Sequence, residues 1–250
     1  MFRHRDKGRT YAHNIRLASL LSAVAGIVNI VGVLSVHTLT TNVTGHFAFF
    51  SEGLFLKDDR LALLSILYVA CFFIGAFIAN TCMELTSKQT VHFSYILPIT
   101  LECILLTGVS LSSCFMEQAD ISVACLLLFA MGLQNALVTK VSGSVVRTTH
   151  LTGLFTDLGI ELSQLFFYKK LHERNRLRKA ILLKIVIIGG FFIGGIIGAS
   201  LYGRYAMKTL LLPVAILMIA LYYDRLRLGY YRYKRKLHDH YRTFLLLFVL

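Results

Sequence analysis

Charged residues, prolines and paired cysteines are all scarce in this chain. Charged residues make up only 16% of its 250 positions, and there are two prolines, against 56% hydrophobic residues and a mean hydropathy of +0.66. A soluble domain of this length rarely hides so much apolar surface, which points to a bilayer. The alternating apolar and polar pattern of barrel strands is also missing, so helices are the spanning element. No HExxH, P-loop, GxSxG or metal-spaced Cys/His cluster occurs. The sequence therefore predicts no enzyme activity, no cofactor and no metal, and His37, His46 and His150 would form a metal site only by tertiary convergence. The five cysteines include no CxxC and lie in or beside apolar stretches, as small packing residues do.

What the chain does have is a series of apolar stretches. Runs of about twenty residues, enough to cross ~30 Å of hydrocarbon as helix, fall at 15–36, 61–81, 93–112, 121–138, 181–201 and 209–223. The basic start, MFRHRDKGR, precedes an apolar run longer than a signal core and without a clear cleavage site, so it reads as a retained first helix. Net charge is +13, but its distribution argues for topology and against nucleic acid. In a six-span reading, 19 Lys and Arg fall on the side of the termini and 4 on the other, with Lys140, Arg147 and Lys184 left near or within apolar segments. This asymmetry predicts cytoplasmic termini and contact with anionic lipid headgroups. The basic, aromatic tail 224–250 reads as a cytoplasmic or interfacial segment too short in its apolar end to span.

Inside the apolar sequence lies a duplication. TNVTGHF (41–47) returns as THLTGLF (149–155). AGIVN (25–29) precedes the first copy and MGLQN (131–135) the second. FFIGAFIA (72–79) follows one and FFIGGIIG (191–198) the other, and LPI (97–99) is matched by LPV (212–214). Four landmarks in the same order predict two homologous repeats, 15–112 and 121–223, in an all-α polytopic membrane domain. The second carries a basic insertion, YKKLHERNRLRK (168–179), expected to be a helical cytoplasmic loop. The motif segments, roughly 41–56 and 149–167, are apolar but short. If they enter the membrane without crossing, six spans result and the repeats are inverted. If they cross fully, eight spans result and the repeats are parallel. The reading with six spans and two short embedded segments is preferred. Gly190, Gly194 and Gly198 make a GxxxGxxxG ridge expected to pack another helix within the fold, with a homodimer contact as the alternative.

Polar groups at membrane depth are costly and tend to face a cavity or a partner. The first motif offers Asn42, Thr44, Gly45, His46 and Glu52, and the second offers Arg147, His150, Thr152, Gly153, Asp157 and Glu161. Asp157 and Glu161, four apart, share a helix face. Each Thr-Gly has a ready use, Gly for sharp backbone geometry and Thr for backbone groups freed by a helix break. A helix starting at either motif would aim its positive end into the membrane, suited to an anion. Glu102 stands alone in its span, either a proton carrier or a carboxyl held neutral by a hydrogen bond. Asn29, Gln134 and Asn135 are further candidates, as pore lining or as interhelical hydrogen bonds.

The segment GLQNALVTKVSGSVVRTTHLTGLFTDLGIEL (132–162), through its QNA, VRTTHLTG and TDLG elements, resembles the YoaK-type family of uncharacterised bacterial integral membrane proteins, as does AGIVNIVG followed by NVTGHF. That family pattern has Asp at the position of Asn29 and Asn at that of His46. The resemblance implies a protein of the bacterial inner membrane. Together these features predict a small secondary permease that binds a small polar solute or anion between its repeats. The alternative is a non-transporting scaffold or sensor that recruits a cytoplasmic partner through its basic loop and tail.

Overall fold

The computed structural model describes residues 10–87, 94–112, 121–168 and 170–222, and the tail 224–250, the first nine residues and the 116–120 loop lie outside them. Among the described residues every regular element is helical. In chain order these are α1 (Tyr11–Val36), α2 (Val43–Leu56), α3 (Asp59–Ser87), α4 (Ile96–Ser112), α5 (Ile121–Ser142), α6 (Leu151–Phe167) and α7 (Leu171–Tyr205). A 3-10 turn (Ala206–Leu210) then leads into α8 (211–222). Four helical stretches are long and apolar enough to cross a membrane: Tyr11–Val36, Asp59–Thr86, Ile121–Ser142 and Leu171–Tyr222.

Two boundaries differ from expectation. The basic insertion is helical as expected, but it is not separate from the span after it, because Leu171–Lys179 forms the first turns of α7. At 35 residues, α7 is about 52 Å long and exceeds ~30 Å of hydrocarbon, so its charged turns project beyond the apolar part. The last apolar stretch is interrupted. Ala206, at φ 47°, breaks the helical path, and the 3-10 turn reaches Leu210 before α8 begins.

α1 and α5 are the most buried helices and carry the core, from Leu17, Leu21 and Val28 to Leu127, Met131 and Leu137. They run in opposite directions. The Gln134 amide donates to the Leu21 carbonyl at 2.7 Å, while Gly32, further along α1, lies toward Leu127, earlier on α5. Each has a parallel companion. On α7, Gly190 faces Ser22, Gly194 faces Ala23 and Gly198 faces Ile27, all in rising order. On α3, Gly75 faces Phe129, and Glu84 pairs with Lys140 at 2.6 Å, also in rising order. The contacts are alike in kind. A Cβ on Gly26 would strike the Phe191 carbonyl, and one on Gly132 would strike that of Phe72. Bare backbone lets each pair approach closely, so dispersion contacts build up along the whole crossing. The GxxxGxxxG ridge is thus spent inside the fold, against α1. The outer faces of α3 and α7 stay apolar and open, with Phe73, Phe77 and Phe192 each more than 60% exposed.

Candidate functional site

After α1 and after α5 the chain folds back along the helix it has just left. Left-handed residues begin each reversal, His37 (φ 51°) in the first and Gly143 and Ser144 (φ 62° and 64°) in the second. One hydrogen bond then fixes each returning segment. The Thr41 hydroxyl donates to Asn29 Oδ1 at 3.0 Å, and the Thr149 hydroxyl donates to Asn135 Oδ1 at 2.8 Å. Asn29 lies seven residues before the end of α1 and Asn135 seven before the end of α5, so each loop returns by roughly 10 Å. Helices α2 and α6 start from those points. With 14 and 17 residues they are about 21 and 26 Å long, shorter than a full crossing.

Both starts line one open cleft of about 1220 Å³, with Thr41–Gly45 on one wall and Thr149–Thr152 on the other. Asn80 and Phe72 of α3, Asn135 and Lys140 of α5, and Arg147 complete it. Among the described residues no carboxylate lines this space. Lys140 is engaged by Glu84, whereas Arg147 is exposed and makes no ion pair among the described residues. Because each threonine hydroxyl occupies the carbonyl oxygen of its asparagine, the Asn135 side chain has its NH₂ left to offer the cleft. The first turns add backbone donors. Asn42 accepts from Gly45 N at 3.0 Å and caps α2, but α6 has no side-chain cap, so amides there lack an acceptor.

The glycine of each Thr-Gly pair has a different use from the expected sharp turn. Neither Gly45 nor Gly153 has positive φ, and both lie inside the first helical turn. A Cβ on Gly45 would meet the Asn42 amide, and one on Gly153 would strike the His150 ring. The glycine makes room for the side chain three residues earlier to fold over the helix start. Thr44 and Thr152 are exposed, and each lines the cleft.

The other predicted residues do not gather there. His46 is buried behind α2, its Nε2 2.9 Å from the Leu39 carbonyl oxygen and its ring edge-on to Tyr68. Glu52 is exposed on α2. Gln134 is used as a tie between α5 and α1. Glu102 is 0% exposed in α4, with neither carboxyl oxygen hydrogen-bonded. Glu161 pairs with Lys184 of α7 at 2.6 Å. Asp157 lines a second cavity of about 480 Å³ between α1, α6 and α7, together with Tyr11, Lys179 and Lys184. Ser144, Arg147 and His150 border both spaces. Sequence reasoning missed Asn80 and the partners of Lys140 and Lys184. The signal was present, since a lone cation within an apolar helix requires a counter-charge.

Comparison with known proteins points to a transmembrane family. Residues 17–223 match the family described as "Protein of unknown function (DUF1275)". The chain is 26% identical over 221 residues to the UPF0700 transmembrane protein YoaK of Bacillus subtilis (strain 168), covering 87% of this chain and 97% of that relative. No solved structure matches. The family match runs from within α1 to the end of α8, including both motif loops, and the chain belongs to the DUF1275 family of YoaK-type membrane proteins.

Proposed function

We propose that this protein is a small secondary permease for a small anion, which it binds in the cleft between α2 and α6. One observation carries the reading: two half-length helices begin at a single space that holds Arg147 and, among the described residues, no carboxylate. Helix starts and cationic side chains favour negative charge, and transporters use broken helices in this way near the membrane midplane. A cation would find no counter-charge on these walls among the described residues, and a neutral solute would leave the Arg147 charge unmatched, so the anion reading is preferred. Asp157, Glu161 and Glu102 are then not ligands of the solute.

The helix directions support two inverted repeats. α1 and α5, the first helices of the two halves, run oppositely, which requires an odd number of crossings per repeat. Six crossings with α2 and α6 as half-helices from opposite faces satisfy this, and eight do not. The basic flanks support a reading with both termini on the cytoplasmic side of a bacterial inner membrane. The chain moves its solute without covalent chemistry.

The test is uptake of sulfate, phosphate, nitrate and formate into proteoliposomes, with Arg147→Gln and Thr152→Val beside the parent chain. Saturable uptake of at least one anion, lost in Arg147→Gln, is the expected result. Equal flux in the parent and both variants, or no anion uptake at all, sinks the reading.

A further inference from the structure

We infer that the second cavity, between α1, α6 and α7, binds a phosphate monoanion of the kind carried by an acidic phospholipid headgroup. Its charges come from three parts of the fold. Arg147 reaches it from the α5–α6 loop, Lys179 and Lys184 from α7, and Asp157 from α6. The Lys184–Glu161 pair cancels itself at 2.6 Å. Lys179 stands 6.0 Å from the centre of the Tyr11 ring and, like Arg147, has no carboxylate partner among the described residues. With Asp157 subtracted, one positive charge remains, which matches a phosphodiester better than a dianion or a cation. The opposite wall is apolar, formed by Leu154, Leu183 and Ile187. A free inorganic ion has no use for that wall, whereas the glycerol and ester groups behind a headgroup phosphate do.

The location fits as well. The cavity lies between the first turn of α1 and the third to fifth turns of α7, next to the basic turns that open α7. Acidic headgroups concentrate at such a face. Tyr11 closes the cavity edge by donating its hydroxyl to the Lys179 carbonyl at 2.9 Å, which ties α1 to α7 beside the cationic group. Arg147 and His150 are shared with the main cleft, so an occupant here would draw on the same guanidinium that borders the solute space. The site stands whether or not the main cleft carries a solute, because its occupancy can be read without transport.

The experiment uses the full chain carrying Ala180→Cys, a half-buried position on the cavity wall, with the parent chain as background for native thiols. Maleimide labelling is compared in nanodiscs of phosphatidylcholine, in nanodiscs containing phosphatidylglycerol, and in phosphatidylcholine with soluble glycerol phosphate. Protection of about fivefold or more is expected in phosphatidylglycerol, the slowing that a site mostly filled by its ligand produces. Protection by glycerol phosphate as well would identify a free phosphate ester as a second source of the same chemistry and would also support the site. Lys179→Gln and Arg147→Gln should each abolish protection, and Lys179→Arg should keep it, which separates ligand loss from misfolding. Arg174→Gln with Arg176→Gln, exposed charges in the first turns of α7 that do not line the cavity, should leave protection intact. Equal labelling in all three media overturns the inference. So does protection that survives both cavity substitutions, or that disappears with the control pair.

Discussion

The ion pair between Lys184 and Glu161 offers a quantitative test of how α6 is held. Its Nζ and Oε1 atoms are 2.6 Å apart, and the two side chains are only 14% and 18% exposed. At an effective dielectric of about 20 the gross attraction is roughly 6 kcal/mol. Desolvating two ions costs several kcal/mol each, so the intact pair adds little net stability. Removing one partner is another matter. Lys184→Met leaves a carboxylate whose second oxygen is already buried without a hydrogen bond. The residual exposure lets solvent screen part of that charge, so a loss of about 2–3 kcal/mol is expected, below the range for fully buried pairs. Glu161→Gln should cost less, because Lys184 borders the second cavity and can keep its charge there. The double variant Lys184→Met with Glu161→Gln should recover most of the parent stability, giving a coupling energy of roughly 2 kcal/mol. Equilibrium unfolding of the four proteins in mixed micelles measures it. If the double variant is no more stable than Lys184→Met, the pair does not hold α6 against α7.

Three further outcomes follow from the same geometry. Gly132→Ala places a methyl against the Phe72 carbonyl and should cost about 2 kcal/mol or more, while Gly108→Ala, in open space within α4, should be neutral or gain up to about 1 kcal/mol; thermal unfolding compares them, and equal effects would refute the close α3–α5 approach. Asn135→Asp keeps the acceptor for Thr149 but puts negative charge into the cleft, so anion uptake should fall about tenfold or more, the loss of roughly 1.4 kcal/mol of binding. Asn29→Asp, which restores the residue of the YoaK-type pattern, should have a much smaller effect because Asn29 does not line that space. Glu102→Leu should leave uptake unchanged and stabilise the chain by about 1–3 kcal/mol, by removing a buried group without partners; lost uptake would return Glu102 to the transport path.

The sequence made the helical class and the six apolar stretches legible because a helix in lipid needs an uninterrupted apolar run. It also marked the two motif segments, since Thr-Gly inside a greasy stretch has no packing reason of its own. The roles within those motifs were less visible. The glycine's use depends on where the Asn42 and His150 side chains fold, and that is a rotamer outcome with no periodic signature. Likewise Asp157 and Glu161 share a helix face but not an environment. One meets a cavity and the other meets Lys184, because α7 passes only one of them. The continuity of the basic insertion with α7 was not visible because charged residues end the hydropathy window at 181, although Arg, Lys and Glu are good helix formers. Glu102 was flagged by cost alone, and its burial in α4 away from the cleft depends on helix packing that a linear reading does not contain.

The two asparagine–threonine bonds connect these observations. A loop that leaves α1 or α5 at its end would ordinarily stay at that level, where water satisfies its backbone. Here one hydroxyl–amide bond in each half holds the returning strand two helical turns deeper, and a short helix must start there. Thr41→Val and Thr149→Val each remove the donor while keeping the shape. Each loses only about 1 kcal/mol of direct hydrogen bonding, too little to unfold the chain, yet the helix start that depends on it loses its anchor. The two substitutions should therefore reduce anion uptake far more than they reduce stability. Labelling of cysteines placed at Lys57 and Tyr168, the ends of α2 and α6, supplies the geometric check. In an inverted pair those ends react with impermeant reagent from opposite faces of the membrane. Reaction of both from one face would mean that the half-helices cross fully, and the shared cleft between their starts would lose its meaning as a midplane site.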